Sequence, residues 1–139
     1  MEATRFLPAL GRALIGLPFL MSGLGKLAAY GATTAYIASV GLPLPSLGWV
    51  IAVVFEIGGG LLLLLGLRSR QVALALAVFT LATSIFFHTN FADKNQMIHF
   101  LKNIMIIGGL LQIAHFGAGS YSLDAQMGRD LKAAAGATS

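Results

Sequence analysis

The chain has 139 residues, of which 57% are hydrophobic and only 10% are charged, whereas soluble domains carry about 25% charged residues. The formal net charge of +4 does not indicate a nucleic-acid site, because the basic residues flank apolar blocks instead of forming one basic surface. The absence of cysteine excludes disulfides, thiolate metal sites and CxxC redox chemistry within this chain.

Four apolar blocks are long enough to cross a bilayer, which takes about 20 residues per helix. They run over residues 10–29, 47–67, 72–88 and 97–116. The length is typical of a single domain, so we predict one domain over residues 1–139. The predicted fold is an all-α membrane protein in which four transmembrane helices form a bundle.

Basic residues concentrate at the amino terminus, the second connection and the tail: Arg5, Arg12, Arg68, Arg70, Arg129 and Lys132. With four spans these regions share one side of the membrane, and the positive-inside rule makes that side cytoplasmic. We therefore predict a multi-pass protein of the bacterial inner membrane, with both termini and the tail 117–139 in the cytoplasm. The first helix is not expected to be cleaved as a signal peptide, because its apolar run is long and Lys26 lies where a neutral segment before a cleavage site is expected.

The longest connection lies between the first two spans. Tyr30, Thr33, Ile37 and Val40 recur there near helical spacing, which predicts a short helix lying in the outer interface. The second connection, "RSR", predicts a helical hairpin. In the tail, "GAGSYSLD" is typical of a helix stop and a turn, and no further helix is predicted.

Glu56 is an acidic residue inside the second predicted span. An intramembrane charge costs about 2.5–3.5 kcal/mol on insertion scales, so it normally faces the bundle and has a partner. At 1.5 Å per residue, Glu56 lies roughly 12 Å below the outer end of its helix and Lys102 roughly 8 Å below that of the fourth. The same outer half receives other polar side chains, which we predict to form a layer with them: Ser22, Lys26, Ser84, His88, His99 and Asn103.

The layer has two interpretations. Glu56 paired with Lys26 or Lys102 is either a structural ion pair or part of a ligand or proton site. Lys26 is also typical of a snorkelling anchor, and the histidines are typical of interfacial side chains, with no metal site indicated. Lys26 and Lys102 together carry one more charge than the Glu56 carboxylate can neutralise. A quinone carbonyl, a small oxyanion or a lipid head group would interact with the remaining positive charge.

Five segments resemble the DoxX family of small bacterial inner-membrane proteins: "FLMSGLGKL", "VGLPLP", "FEIGGGLLLLLGLRSR", "KNIMIIGGLLQI" and "GAGSYSLD". The resemblance extends over residues 10–124 and implies four transmembrane helices. It also implies a membrane subunit or anchor of a quinone-linked redox system, with a protein partner and without assigned catalytic residues. No covalent cofactor is expected, and a quinone is the candidate ligand. A small-solute transporter and a non-catalytic scaffold or assembly factor are the alternatives, and homo-oligomers are compatible with either.

Overall fold

A computed structural model describes residues 4–137, and the regular structure in that range is helical, without strands. Four of its helices are long and apolar enough to cross a membrane, which confirms the predicted fold class. The helices in chain order are α1 Leu7–Ala28, α2 Tyr30–Ser39, α3 Pro45–Leu65, α4 Ser69–Phe87, α5 Lys94–Phe116 and α6 Leu123–Ala137. The spans are α1, α3, α4 and α5.

The bundle consists of two closely packed helix pairs, α1 with α3 and α4 with α5. Glycines permit the first pair to meet backbone to backbone. A Cβ atom on Gly16 would lie 2.9 Å from the carbonyl oxygen of Gly60, and one on Gly60 would lie 2.8 Å from that of Gly16. Such close approach through small residues drives helix association in lipid, where apolar burial itself gives little advantage.

The buried core is small and lies between α3, α4 and α5. Leu63, Leu76 and Leu110 are almost fully buried in it, together with Ala73 and Ala77. Large apolar side chains elsewhere point outward, as Leu14 and Met105 do with 68% and 74% exposure. An outward apolar surface is expected of helices that lipid tails surround.

Helix α3 is interrupted by one π-helical turn, Val54–Gly58, with Glu56 at its centre. A π turn inserts an extra residue into a helical turn, and such turns occur often at functional sites. No feature of the apolar pattern predicted it.

The predicted short helix in the first connection is present as α2. Its buried residue Ile37 packs against the start of α3, where a Cβ on Gly48 would lie 3.4 Å from the Ile37 side chain. Gly41 and Leu44 then reverse the chain with φ angles of 80° and 52°. The left-handed conformation of Leu44 is uncommon for a residue with a side chain.

The tail after Phe116 contains a helix, which the sequence analysis did not predict. Gly117 and Gly119 turn the chain with positive φ angles of 84° and 81°, as expected of the predicted stop. The Ser122 hydroxyl then accepts a hydrogen bond from the backbone N–H of Ala125, and α6 follows. Charged and small polar residues lower the mean hydropathy of the tail and obscure the helical pattern, although its alanines favour helix strongly.

Candidate functional site

The carboxylate of Glu56 is buried between α1 and α3 and is paired with Lys26. The Lys26 ammonium lies 3.0 Å from Oε1 and 2.9 Å from Oε2 of Glu56. It also donates a hydrogen bond to the hydroxyl of Ser22, at 2.8 Å. The predicted pairing of Glu56 is therefore made with Lys26, one of the two lysines considered. The three N–H groups of the ammonium all have acceptors. One ammonium and one carboxylate make the pair neutral as a whole.

The backbone of α1 leaves room for Glu56 at Gly23. A Cβ there would lie 2.6 Å from Cγ1 of Ile57 and 3.0 Å from Cβ of Glu56, so only glycine fits the approach without displacement. The π turn of α3 lies directly opposite. Close contact at Gly23 and the wider π turn together position the carboxylate next to the last turn of α1, where Lys26 lies.

A cavity of about 580 Å³ lies beside the ion pair. Helices α1, α3, α4 and α5 form its walls, and Thr33, Tyr36 and Ile37 of α2 cover one end. Most of its lining is apolar or aromatic, including Phe79, Phe86 and Phe87. The polar residues that the sequence analysis named and that do line it are Ser22, Lys26, Glu56, His88 and Asn103.

His88 follows the last residue of α4 and contributes an unpaired polar atom to this region. Its Nδ1 atom is buried without a hydrogen-bond partner, while the backbone N–H is bonded to the carbonyl of Ser84. The ring stacks on His99 with centroids 5.2 Å apart. Burial lowers the pKa of His88, and the neighbouring His99 lowers this pKa further. His88 therefore tends to be neutral, with Nδ1 as donor or acceptor according to its tautomer.

Asn103 and Ser84 join α5 to α4 beside the cavity. The amide of Asn103 donates to the hydroxyl of Ser84 at 2.9 Å, and that hydroxyl donates to the carbonyl of Thr80 at 2.7 Å. Ser84 is fully buried and lies behind the cavity wall, outside its lining. The bond fixes the orientation of the Asn103 side chain, which reaches the lining itself.

The remaining candidates lie outside the cavity. Lys102 is exposed on the outer face of α5, one residue before Asn103, and is not in the lining. His99 is exposed and reaches the cavity region only through its stack on His88. The surplus positive charge that the sequence analysis placed in the layer is thus on Lys102, away from Glu56.

Arg12 is buried at the opposite end of the bundle, where the sequence analysis expected only a topology signal. It is 2% exposed, and its guanidinium donates to the backbone carbonyls of Leu63, Ala118 and Tyr121. The bonds to Leu63 and Tyr121 are 3.0 Å and 2.7 Å long. Arg12 therefore connects α1 to the end of α3 and to the turn before α6. The sequence did indicate that Arg12 has a buried partner, because this charged residue lies inside the first predicted span and not beside it.

Gly66 provides the space for that arginine. Its φ angle of +68° ends α3 in the left-handed conformation, and a Cβ there would lie 2.5 Å from Cβ of Ser122 and 3.0 Å from Cζ of Arg12. The carbonyl of Gly66 also accepts a hydrogen bond from the backbone N–H of Asp124. Glycine is required at this position by both the backbone angle and the close contacts.

The four helices that are long and apolar enough to cross a membrane agree with the family expectation. The sequence model of the DoxX family matches residues 7–89. The chain belongs to the DoxX family. It is 40% identical to inner membrane protein YqjF of Escherichia coli (strain K12) over 115 residues, which cover 81% of this chain and 85% of that protein.

A second relative leads to the same family. Inner membrane protein YphA of Escherichia coli (strain K12) is 36% identical over 120 residues, or 83% of this chain and 86% of that protein. No solved structure matches the chain. With its apolar helices, this DoxX protein is a multi-pass protein of the inner membrane and has the lipid bilayer as its environment.

Proposed function

We propose that this DoxX protein binds a neutral, lipid-soluble molecule of the quinone class in the cavity beside Glu56, as a membrane subunit or anchor of a redox system. In this proposal both termini lie in the cytoplasm, as the positions of the basic residues favour. The observation that carries it is the buried, unpaired Nδ1 atom of His88, next to a cavity whose ion pair is already neutral.

The charge balance of the cavity favours a neutral ligand over an oxyanion. The three N–H groups of the Lys26 ammonium donate hydrogen bonds to Glu56 and Ser22, so no free donor remains for an anion. Lys102 is exposed and outside the lining. A ligand with a net charge would therefore enter an apolar cavity without a countercharge, which is costly in a low-dielectric environment.

The shape of the cavity supports entry from the bilayer. Leu14, Pro18 and Ser22 lie at successive turns of α1, line the cavity and are exposed, and so is Phe86 on α4. The cavity therefore opens sideways between α1 and α4, toward the region that lipid tails occupy. A lipid-soluble molecule reaches such an opening without crossing water.

The polar groups in the lining fit the two oxygens of a quinone. The Ser22 hydroxyl accepts a bond from Lys26, which leaves its own proton available for a carbonyl oxygen. Rotation of the His88 ring would bring its buried Nδ1 atom to the cavity, where it would be the second donor in its protonated tautomer and a proton acceptor in the other tautomer. The aromatic side chains of Tyr36 and Phe87, stacked with centroids 5.2 Å apart, would pack on the ring.

The bound group would supply the electron-carrying chemistry, and the chain's own residues would hold it and exchange protons. Neither histidine of the stacked pair has a further metal-ligating neighbour among residues 4–137, where no cluster of three such side chains occurs. Electrons would therefore pass to a partner protein.

The position of the core disfavours the transporter alternative. Three leucines are almost fully buried between the cavity and the end of the bundle at which the chain termini lie: Leu63 in α3, Leu76 in α4 and Leu110 in α5. Beyond them the Arg12 guanidinium is occupied by three carbonyl oxygens. A continuous polar route across the bundle would need both layers to open.

Trp49 offers a direct binding test, since it is the single tryptophan of the chain and its indole N–H donates to the carbonyl of Lys26. Titration of the protein in nanodiscs with a short-chain quinone should quench Trp49 fluorescence with a saturating component. Thr83→Phe, which fills the cavity, should remove that component. Lys102→Gln, outside the cavity, should keep it. Linear quenching that is equal in the three proteins contradicts the proposal.

A further inference from the structure

Helix α6 has one apolar stripe along its length. Leu123, Met127, Leu131 and Ala134 follow each other at intervals of four, four and three residues, which places them on one face. Met127 and Leu131 are 53% and 71% exposed. Of the charged residues of α6, Arg129 and Lys132 lie on the side opposite this stripe, whereas Asp124 and Asp130 lie at its two edges.

The first turn of α6 is fastened to the ends of two membrane spans. The Asp124 carboxylate accepts hydrogen bonds from the backbone N–H groups of Arg68 and Ser69, at 2.7 Å and 2.9 Å. Ser69 is the first residue of α4, and Gly66, whose carbonyl bonds to the Asp124 N–H, ends α3. The start of α6 is therefore held at the level where the spans leave the hydrocarbon region.

We propose that α6 lies on the membrane surface at the end of the bundle where α3 connects to α4. Its apolar stripe would lie among the acyl chains, and its basic residues would lie at anionic lipid head groups. Helices α3 and α4 are long and apolar enough to cross the membrane, and they meet at this level, so the bilayer surface is expected beside the start of α6. Surface helices of this kind combine a narrow apolar face with basic residues on the polar face.

The charges beside α6 are complementary to anionic lipids. Arg68 and Arg70 are exposed next to its first turn, and Arg129 and Lys132 are exposed along the helix. They outnumber the acidic residues Asp124 and Asp130, and the Asp124 carboxylate is bonded to backbone N–H groups, so the net charge at this end is positive. Arg70 also bonds to the carbonyl of His115, which holds it near the end of α5. The exposed aromatic rings of Phe116 and Tyr121 lie at the same end, where aromatic residues are enriched at membrane interfaces.

The absence of cysteine from the chain allows a clean spin-label test. Single cysteines at positions 126–134 of the full-length protein would carry a nitroxide in nanodiscs that contain phosphatidylglycerol. We expect collision rates with oxygen and with a water-soluble nickel chelate to oscillate with the helical period and in opposite phase. Positions 127, 131 and 134 should be the most accessible to oxygen, and 129 and 132 the most accessible to nickel.

Two matched variants separate lipid from other occupants of the stripe. In Met127→Gln/Leu131→Gln a nitroxide at position 134 should lose its preference for oxygen over nickel, whereas the same probe in the otherwise unchanged chain should keep it. Replacing phosphatidylglycerol by phosphatidylcholine should reduce the oxygen-to-nickel contrast at 127 and 131 at least twofold. Equal nickel access at all positions overturns the proposal. So does protection of the stripe that is equal in detergent and in nanodiscs, or label-to-label distances that show a second copy covering it.

Discussion

The ammonium of Lys26 lies within 3.0 Å of both carboxylate oxygens of Glu56, although the two residues are 30 positions apart in the chain. Lys26 lies in the last turn of α1 and Glu56 in the π turn of α3, so the pair connects the two helices beside the cavity. With its side chain 29% exposed, Lys26 reaches toward the interface, and the Glu56 side chain is only 9% exposed. Lys26 therefore both extends toward the interface and pairs with Glu56, the two roles that the sequence left as alternatives.

Glu56→Gln should lower the stability of the protein by leaving the lysine charge without its partner. Removing one member of a buried pair costs about 3–5 kcal/mol, and the partial exposure of Lys26 should reduce this cost. Lys26→Met added to Glu56→Gln should restore much of the loss. Lys102→Met added instead should restore nothing, because Lys102 is exposed and outside the cavity. Thermal unfolding in detergent compares the stability of Glu56→Gln with that of the two double variants. Equal rescue by both lysine changes would contradict the pairing.

Gly23→Ala should destabilise the contact between α1 and the π turn. The new methyl group would meet Ile57 Cγ1 at 2.6 Å and the Ile57 backbone nitrogen at 3.0 Å. Overpacking of this kind typically costs about 1–3 kcal/mol. Gly25→Ala is the matched control in the same helix, with nothing within 4 Å of its Cβ. Thermal unfolding should show a loss for the first and no loss for the second.

Arg12→Lys should be strongly destabilising although it keeps the charge. A lysine cannot reach the three carbonyl oxygens that the guanidinium binds from one position. Loss of two hydrogen bonds to a charged group corresponds to about 3 kcal/mol or more. Arg129→Lys, on the polar face of α6, should leave the unfolding temperature nearly unchanged. Similar unfolding temperatures for both variants would show that the carbonyl bonds contribute little.

His88 should make stability fall in mildly acidic solution. Its pKa in the folded protein is lowered by burial and by His99, so the unfolded chain binds more protons at pH values just below the ordinary histidine pKa of about 6.5. Stability is then highest above this pH and decreases as the pH falls below it. His88→Gln should reduce the decrease of the unfolding temperature between pH 7 and pH 5, relative to the unaltered protein. An unchanged slope in His88→Gln would contradict this origin.

The orientation in the membrane is tested by labelling in intact cells. An impermeant thiol reagent should reach Ala35→Cys in α2 and should not reach Ser139→Cys at the carboxyl terminus, if the termini are cytoplasmic. The native chain has no cysteine, so the unaltered protein gives the background. Labelling at position 139 and not at position 35 would reverse the orientation.

Hydropathy predicts the spans well because lipid imposes a long apolar run on every crossing helix. It misses helix ends that polar residues form. Helix α5 begins at Lys94 and not near Met97, because the Asp93 carboxylate caps it by accepting from the N–H groups of Asn95 and Gln96. That first turn is hydrophilic and lies outside any apolar block.

The candidate site was predictable in its chemistry and only partly in its geometry. Depth and charge indicated that Glu56 pairs with Lys26 or Lys102, because helix ends fix depth, but they did not decide between the two lysines. Which side of α5 faces the cavity depends on helix rotation, and Lys102 and Asn103 differ by about 100° around the axis. The structure places Asn103 in the lining and Lys102 outside it. The π turn and the buried role of Arg12 depend on backbone contacts between distant segments, which leave no periodic pattern in one sequence.

The central claim is that the cavity beside Glu56 holds a quinone, and the contents of the protein purified from its native membrane test it most directly. Organic extraction followed by mass spectrometry should find close to one isoprenoid quinone per folded chain in the unaltered protein and in Lys102→Gln. The folded fraction of Thr83→Phe should contain several-fold less, because the phenyl ring occupies the cavity. Quinone content that is equal in the three proteins and follows only the amount of co-purified lipid would contradict the claim.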